Sequence, residues 1–138
     1  MSNLNDHLLD AAKAQQLAKE YEDTTYARIN SGRPAGKPDS RFYIHDLEVL
    51  QDYINMIRDE MEKKGIRKKG IRITLGKYPE SRFDPRLNPE YKGYQTIFFS
   101  AQNLDPAGTA NEASNLSQDL PALDFGSIAP PYTPQHNG

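Results

Sequence analysis

Arg72, Lys77, Tyr78, Arg82, Arg86, Tyr91 and Tyr94, with Lys92 among them, crowd cations and phenol rings into one stretch of the chain. Guanidinium and ammonium groups neutralise phosphate oxygens, and aromatic rings stack on exposed bases, so this mixture is the chemistry of a phosphate ligand or single-stranded nucleic acid. Those seven residues are the candidate ligand-binding set. Glu80, Asp84 and Glu90 interrupt the positive field. An ordinary solvated loop carries the same residues, with Arg and Tyr lying along neighbouring surface, so nucleic-acid binding is the second reading rather than the first.

A further basic run, Lys63-Lys64-Gly65-Ile66-Arg67, is followed at once by Lys68-Lys69-Gly70-Ile71-Arg72. Such a cluster can face polyphosphate or an acidic partner. Helix-end cations, a cap glycine, a turn and a strand start account for the same residues. The tandem is too short to make a repeat architecture.

Little else in the chain has a catalytic pattern. There are no cysteines, which excludes disulfides, thiolate metal sites and a cysteine nucleophile, and the three histidines at 7, 45 and 136 are scattered. His45-Asp46 are neighbours, whereas an orienting carboxylate and its base usually come from distant parts of a chain. Asp39, Asp46 and Glu48 do not make a calcium loop, and neither a His-Glu-x-x-His helix nor a Gly-x-Gly-x-x-Gly turn occurs. No catalytic residue, metal or cofactor is therefore assigned. A small enzyme with its site at the 77–93 loop is the third reading. It requires a concave pocket holding two titratable groups of perturbed pKa near Arg72 or Tyr78.

The elements that must carry these residues are legible from periodicity. Leu8, Ala11, Leu17, Ala18 and Tyr21 recur at helical spacing from about Asn5 to the high twenties, and Asn30-Ser31-Gly32 closes that helix. Residues 33–40, with Pro34, Gly36 and Pro38, read as a linker. Leu47, Leu50, Ile54, Ile57 and Met61 make the apolar stripe of a second helix. Asp46 is its N-cap, Lys63 and Lys64 suit its negative end, and Gly65-Ile66 fit a C-terminal cap. Strands are expected at Arg41–Ile44, Ile71–Leu75 and Tyr94–Phe99, and Ile71, Ile73 and Leu75 are expected to face the core. Between the last two, residues 77–93 hold Pro79, Pro85 and Pro89 and no helical period. A connection that long is usually functional or mobile.

From Asp105 onward the chain has Asp105, Glu112, Asp119 and Asp124 with no Lys or Arg, and half of its prolines. Residues 105–138 read as an acidic disordered tail whose sparse apolar residues order on a partner; Leu120, Leu123, Phe125 and Tyr132 are the candidate partner-binding anchors. Most Leu, Ile, Val and Phe lie between 41 and 104, which places the core there. Overall, 17 Lys and Arg stand against 19 Asp and Glu for a net charge of −2. No stretch approaches the roughly 18 apolar residues of a bilayer span, and Met1–Asp6 lacks a signal peptide's basic and apolar parts, so membrane insertion is not expected and the default compartment is cytoplasm.

Asp39-Ser40-Arg41, Leu47-Glu48-Val49-Leu50, Lys64-Gly65-Ile66, Gly70-Ile71-Arg72-Ile73-Thr74-Leu75-Gly76-Lys77-Tyr78-Pro79 and Gly93-Tyr94-Gln95-Thr96-Ile97-Phe98-Phe99 together resemble a pattern of small uncharacterised bacterial proteins, chiefly of the Bacteroidetes group. The resemblance covers about residues 39–100. It implies a bacterial cytoplasmic setting and carries no activity, ligand or catalytic residue. Ser100-Ala101-Gln102 departs from the Pro-Thr that often follows the last strand in that pattern.

The expectation is an α+β protein: an N-terminal helix (1–32), a linker (33–40), a β-α-β-β core (41–104) with a short sheet covered on one face by helices, and the tail (105–138). So small a core gains from further burial, and at least one sheet edge is open. A non-enzymatic interaction or assembly module, self-associating or binding another protein, is the first reading.

Overall fold

The computed structural model describes residues 3–82, 84–105 and 119–131. The chain divides into two compact units, Met1–Asp39 and Ser40–Gly138. In the first, the Asp10 carboxylate accepts the Lys13 N–H at 2.8 Å and caps α1 (Ala11–Tyr21). The helix runs on through a π-helical stretch, Glu22–Tyr26, into α2 (Ala27–Ser31). Of residues 33–40, read as a linker, 33–39 fold back on this helix. The Tyr26 hydroxyl donates to the Asp39 carbonyl at 2.8 Å, and Asn30 Oδ1 accepts the Asp39 N–H at 2.7 Å.

In the second unit, α3 (Leu47–Lys63) starts where Asp46 Oδ1 accepts the N–H groups of Glu48 and Val49 at 2.8 and 3.0 Å. It ends in a Schellman cap. Gly65 takes φ +75°, its N–H reaches the Glu62 carbonyl, and the Ile66 N–H reaches Met61, while the Ile66 side chain packs on the cluster that includes Met61. Of the stripe read from the sequence, Ile57 and Met61 are buried, together with Tyr53, Ala101 and Leu120, and Ile66, Phe99 and Leu123 surround them, whereas Leu47 at the start of the helix is 76% exposed.

The fold class is α+β. Its sheets are β1 (Phe42–Ile44) with β4 (Ser127–Ala129), and β2 (Lys69–Lys77) with β3 (Gln95–Asn103), both antiparallel. The expected order β-α-β-β is present, but β1 does not join the same ladder as β2 and β3. Its partner is Ser127-Ile128-Ala129, which composition places in the tail. Only three residues pair on each strand, so the contact leaves no alternation long enough to read. Residues 119–131 thus belong to the packed unit, with Leu120 and Ile128 buried. Gly126 permits the approach, since a Cβ there would lie 2.6 Å from the Ile44 carbonyl oxygen. The other tail residues, 106–118 and 132–138, lie outside the described residues.

A second buried cluster joins Tyr78, Leu87, Tyr91 and Tyr94 to Ile128, with Tyr43 beside it. The 77–93 connection is packed by its own side chains around a short 3₁₀ turn, Pro89–Tyr91, capped by Asn88.

Candidate functional site

The candidate ligand-binding residues do not converge. Tyr78, Tyr91 and Tyr94 are core residues, and the rings of Tyr78 and Tyr91 stack on each other with centroids 6.1 Å apart. Rings consumed in this way present no face to a base. The hydroxyls of Tyr78 and Tyr91 instead satisfy buried side-chain and backbone groups, which is how a tyrosine-rich loop can fill a core. Arg72 donates from Nε to Gln102 Oε1 at 2.8 Å across the β2–β3 pair, and Lys77 sits exposed at the strand's end. Arg82 lies in the loop in a left-handed conformation, φ +55°. Arg86 pairs with Asp84 at 2.9 Å and covers the Phe125 ring at 4.0 Å.

Among the partner-binding candidates, Leu120 is buried and Leu123 packs beside it, bridging to Phe99 through paired N–H···O bonds of 2.9 Å. They anchor the chain to itself, so they do not stand free for a partner. Phe125 is half-exposed under Arg86, and Tyr132 lies outside the described residues. The basic run is largely paired: Lys63 with Glu60, Lys64 with Asp119, Arg67 with Asp105 and Lys69 with Glu62.

One polar cluster has no signature in the sequence. The Tyr78 hydroxyl donates to the Asp124 carboxylate, 2.9 Å from both oxygens, and accepts from Thr96 Oγ1 at 3.0 Å. Burial raises the Tyr78 pKa, and burial also raises that of Asp124 against the opposing effect of the Tyr78 hydrogen bond. His45, edge-on to Phe99 at 5.2 Å, has its pKa lowered by burial, with the Asp124 charge acting the other way. These are perturbed titratable groups near Tyr78, but the hydroxyl's hydrogen bonds close within the fold and hold residue 124 in place. Among the described residues no group of three or more His, Asp or Glu side chains could hold a metal ion.

The outer side of β2 is a candidate surface among the described residues. Gly93 N–H and Tyr78 N–H bond across the Tyr78–Tyr94 end, and Leu104 N–H bonds Lys68 O at the other. The register pairs 69 with 103 through 77 with 95, so the even-numbered residues of β2 exchange bonds with β3. Consistently, Phe99 turns its own N–H and C=O away from β2, toward Leu123. Lys69, Ile71, Ile73, Leu75 and Lys77 therefore aim their N–H and C=O groups outward, where no strand pairs with them among the described residues. Ile71, Ile73 and Leu75, expected in the core, are 40, 58 and 70% exposed. α3 covers only the Ile71 end of their row, so the rest reaches past it into solvent. Beside that end, a groove of about 180 Å³ runs between α3 and β2, lined by Ile54, Ile57, Arg58, Met61, Lys69, Gly70 and Ile71. The sequence does carry a signal for an edge: cations at 69, 72 and 77 within an apolar strand are how edges are guarded.

The fold and this surface define a small α+β domain with a two-stranded ladder whose β2 edge is unpaired among the described residues. No family model matches the chain, and no solved structure matches it. A curated protein of Caenorhabditis elegans, named as a subunit of eukaryotic translation initiation factor 3, is 32% identical over 95 residues, covering 58% of this chain and 10% of that protein. The chain thus spans about a tenth of the length of that curated relative. No helix among the described residues is long and apolar enough to cross a membrane.

Proposed function

We propose that the chain is a non-enzymatic protein-interaction or assembly module, working in the bacterial cytoplasm that the sequence resemblance implies. The observation that carries this reading is the outer side of β2, where outward N–H and C=O groups run beside an apolar row more than one-third exposed. Such an edge is a template for another chain, and monomeric proteins usually cover or shorten it. The curated relative is named as a subunit, which agrees with a role in assembly. Burial of the three tyrosines removes the stacking rings that nucleic-acid binding needs.

The test is affinity capture with the full chain from a bacterial lysate, together with sedimentation velocity across concentrations. A partner recovered in near-stoichiometric amount, or reversible self-association, is expected. A strict monomer that captures nothing overturns the reading.

A further inference from the structure

We propose that the outer edge of β2, residues Lys69–Lys77, takes up an acidic, alternately apolar extended peptide as an added strand, with an apolar side chain of that peptide entering the groove beside α3. This rests on the interaction-module reading and names the chemistry of the partner.

Backbone geometry supplies the first requirement. The odd-numbered residues from 69 to 77 present N–H and C=O groups outward over the length of the strand, because the even-numbered ones are bonded to β3. An added strand gains main-chain hydrogen bonds from that row, and side-chain pockets then set its specificity. Residues of the peptide opposite Ile71, Ile73 and Leu75 share their face, which is apolar and exposed. At the Ile71 end this face opens on the groove lined by Ile54, Ile57 and Met61.

Charge selects the occupant. From Lys63 to Pro79 the sequence contains no Asp or Glu. Arg72 is bonded to a neutral amide, Lys77 is exposed, and Arg58 stands at the groove. Side chains alternate in face along a strand, so the carboxylates of a strand whose apolar residues share the Ile71, Ile73 and Leu75 face meet Arg72 on the other face, while Lys77 and Arg58 border the apolar side. Like charges opposite one another on neighbouring strands are destabilising. That rule also disfavours a second copy of this chain. The antiparallel register that pairs all nine residues of β2 with themselves sets Lys69 opposite Lys77 at both ends.

The experiment measures fluorescence anisotropy of labelled nine-residue peptides with the full chain. The probe alternates Glu and Val; its comparators are the Lys-Val counterpart and an isomer with all Val before all Glu. The alternating acidic peptide is expected to bind at least about tenfold more tightly than either comparator, a difference of about 1.4 kcal/mol. Ile73→Pro removes an outward N–H that β3 does not use, so it should abolish binding while leaving the circular dichroism unchanged. Should that variant unfold, N-methylating alternate peptide residues on the probe blocks strand addition without altering the protein, and binding should vanish. Arg72→Glu with Lys77→Glu should reverse the preference toward the Lys-Val peptide.

Equal binding of the block isomer, or undiminished binding by folded Ile73→Pro or of the N-methylated probe, overturns the proposal. So does single-stranded RNA binding in preference to the acidic peptide and lost in the charge-reversed variant. If wild type and Ile73→Pro capture the same stoichiometric partner, the edge proposal falls and the module reading stands. Capture of nothing by the wild type is the separate failure of that reading.

Discussion

The two buried clusters of the second unit are built on different principles. Around α3, Tyr53, Ile57 and Met61 descend one helix face onto Ala101 and Leu120, and burial of apolar surface supplies most of the cohesion. Around the 77–93 loop, Tyr78, Tyr91 and Tyr94 fill the same role without any period, and the hydroxyls of Tyr78 and Tyr91 decide where those rings sit. Both clusters are completed by the returning segment, Leu120 in one and Ile128 in the other. Tyrosine hydroxyls hold that segment at three points: Tyr53 against the Pro121 carbonyl at 2.9 Å, Tyr78 against Asp124, and Tyr91 against the Ile128 N–H at 3.2 Å. A core can thus be assembled from an irregular loop if each polar atom it buries finds a partner.

The contrast can be broken by substitution. Met61→Ala removes a side chain 1% exposed and leaves a void under α3; a loss of about 2–5 kcal/mol is expected in urea unfolding of the full chain. A loss below that range would show that the helix cluster closes over the void. Tyr91→Phe keeps the ring and orphans the buried Ile128 N–H, for which about 1–3 kcal/mol is expected by the same measurement. Indifference to this change would mean that the loop cluster coheres by ring burial alone.

Tyr53→Phe sharpens the comparison. Its hydroxyl faces two carbonyls, and the Phe99 carbonyl also accepts the Leu123 N–H. Under-satisfied carbonyls are tolerated better than orphaned N–H groups, so the loss should be about 1 kcal/mol and smaller than for Tyr91→Phe. The smallest effect concerns pH. The His45 pKa is lowered, so between its folded value and its ordinary value near 6.5 the unfolded state binds more protons, and stability falls as pH drops through that interval. Asp124 acts oppositely at more acidic pH: its raised pKa favours the protonated carboxyl in the fold, and its contribution is lost as pH rises through that value. His45→Gln should flatten the near-neutral slope in thermal melts and, by removing the imidazolium charge that opposes the rise of the Asp124 pKa, strengthen the acidic one.

How far the sequence speaks follows the same division. The α3 boundaries are readable because a 3.6-residue stripe, the Asp46 cap and the Gly65-Ile66 cap all act within a few residues. Strand β2 is readable from alternation and β3 from its β-prone run through Ile97-Phe98-Phe99, and the structure extends each by a few residues. β4 is not, because Ser127-Ile128-Ala129 in a Pro-rich acidic segment has no local property that distinguishes it from spacer. At the candidate surface, the basic residues and the apolar row of β2 are both plain in the sequence, but alternation alone points that row at the core. Which end of a sheet face a helix covers depends on where that helix lands.

Composition and periodicity by themselves determined the α+β class, the caps of α3 and the two long strands, since all of these depend on neighbours within a turn or a strand. Tertiary structure alone decided that the tyrosines of the long loop face inward, that residues 119–131 return to complete both clusters, and that the outer edge of β2 is unpaired among the described residues. Each of those outcomes is a contact between residues distant in the chain, and its free energy exists only once the partner surface has formed.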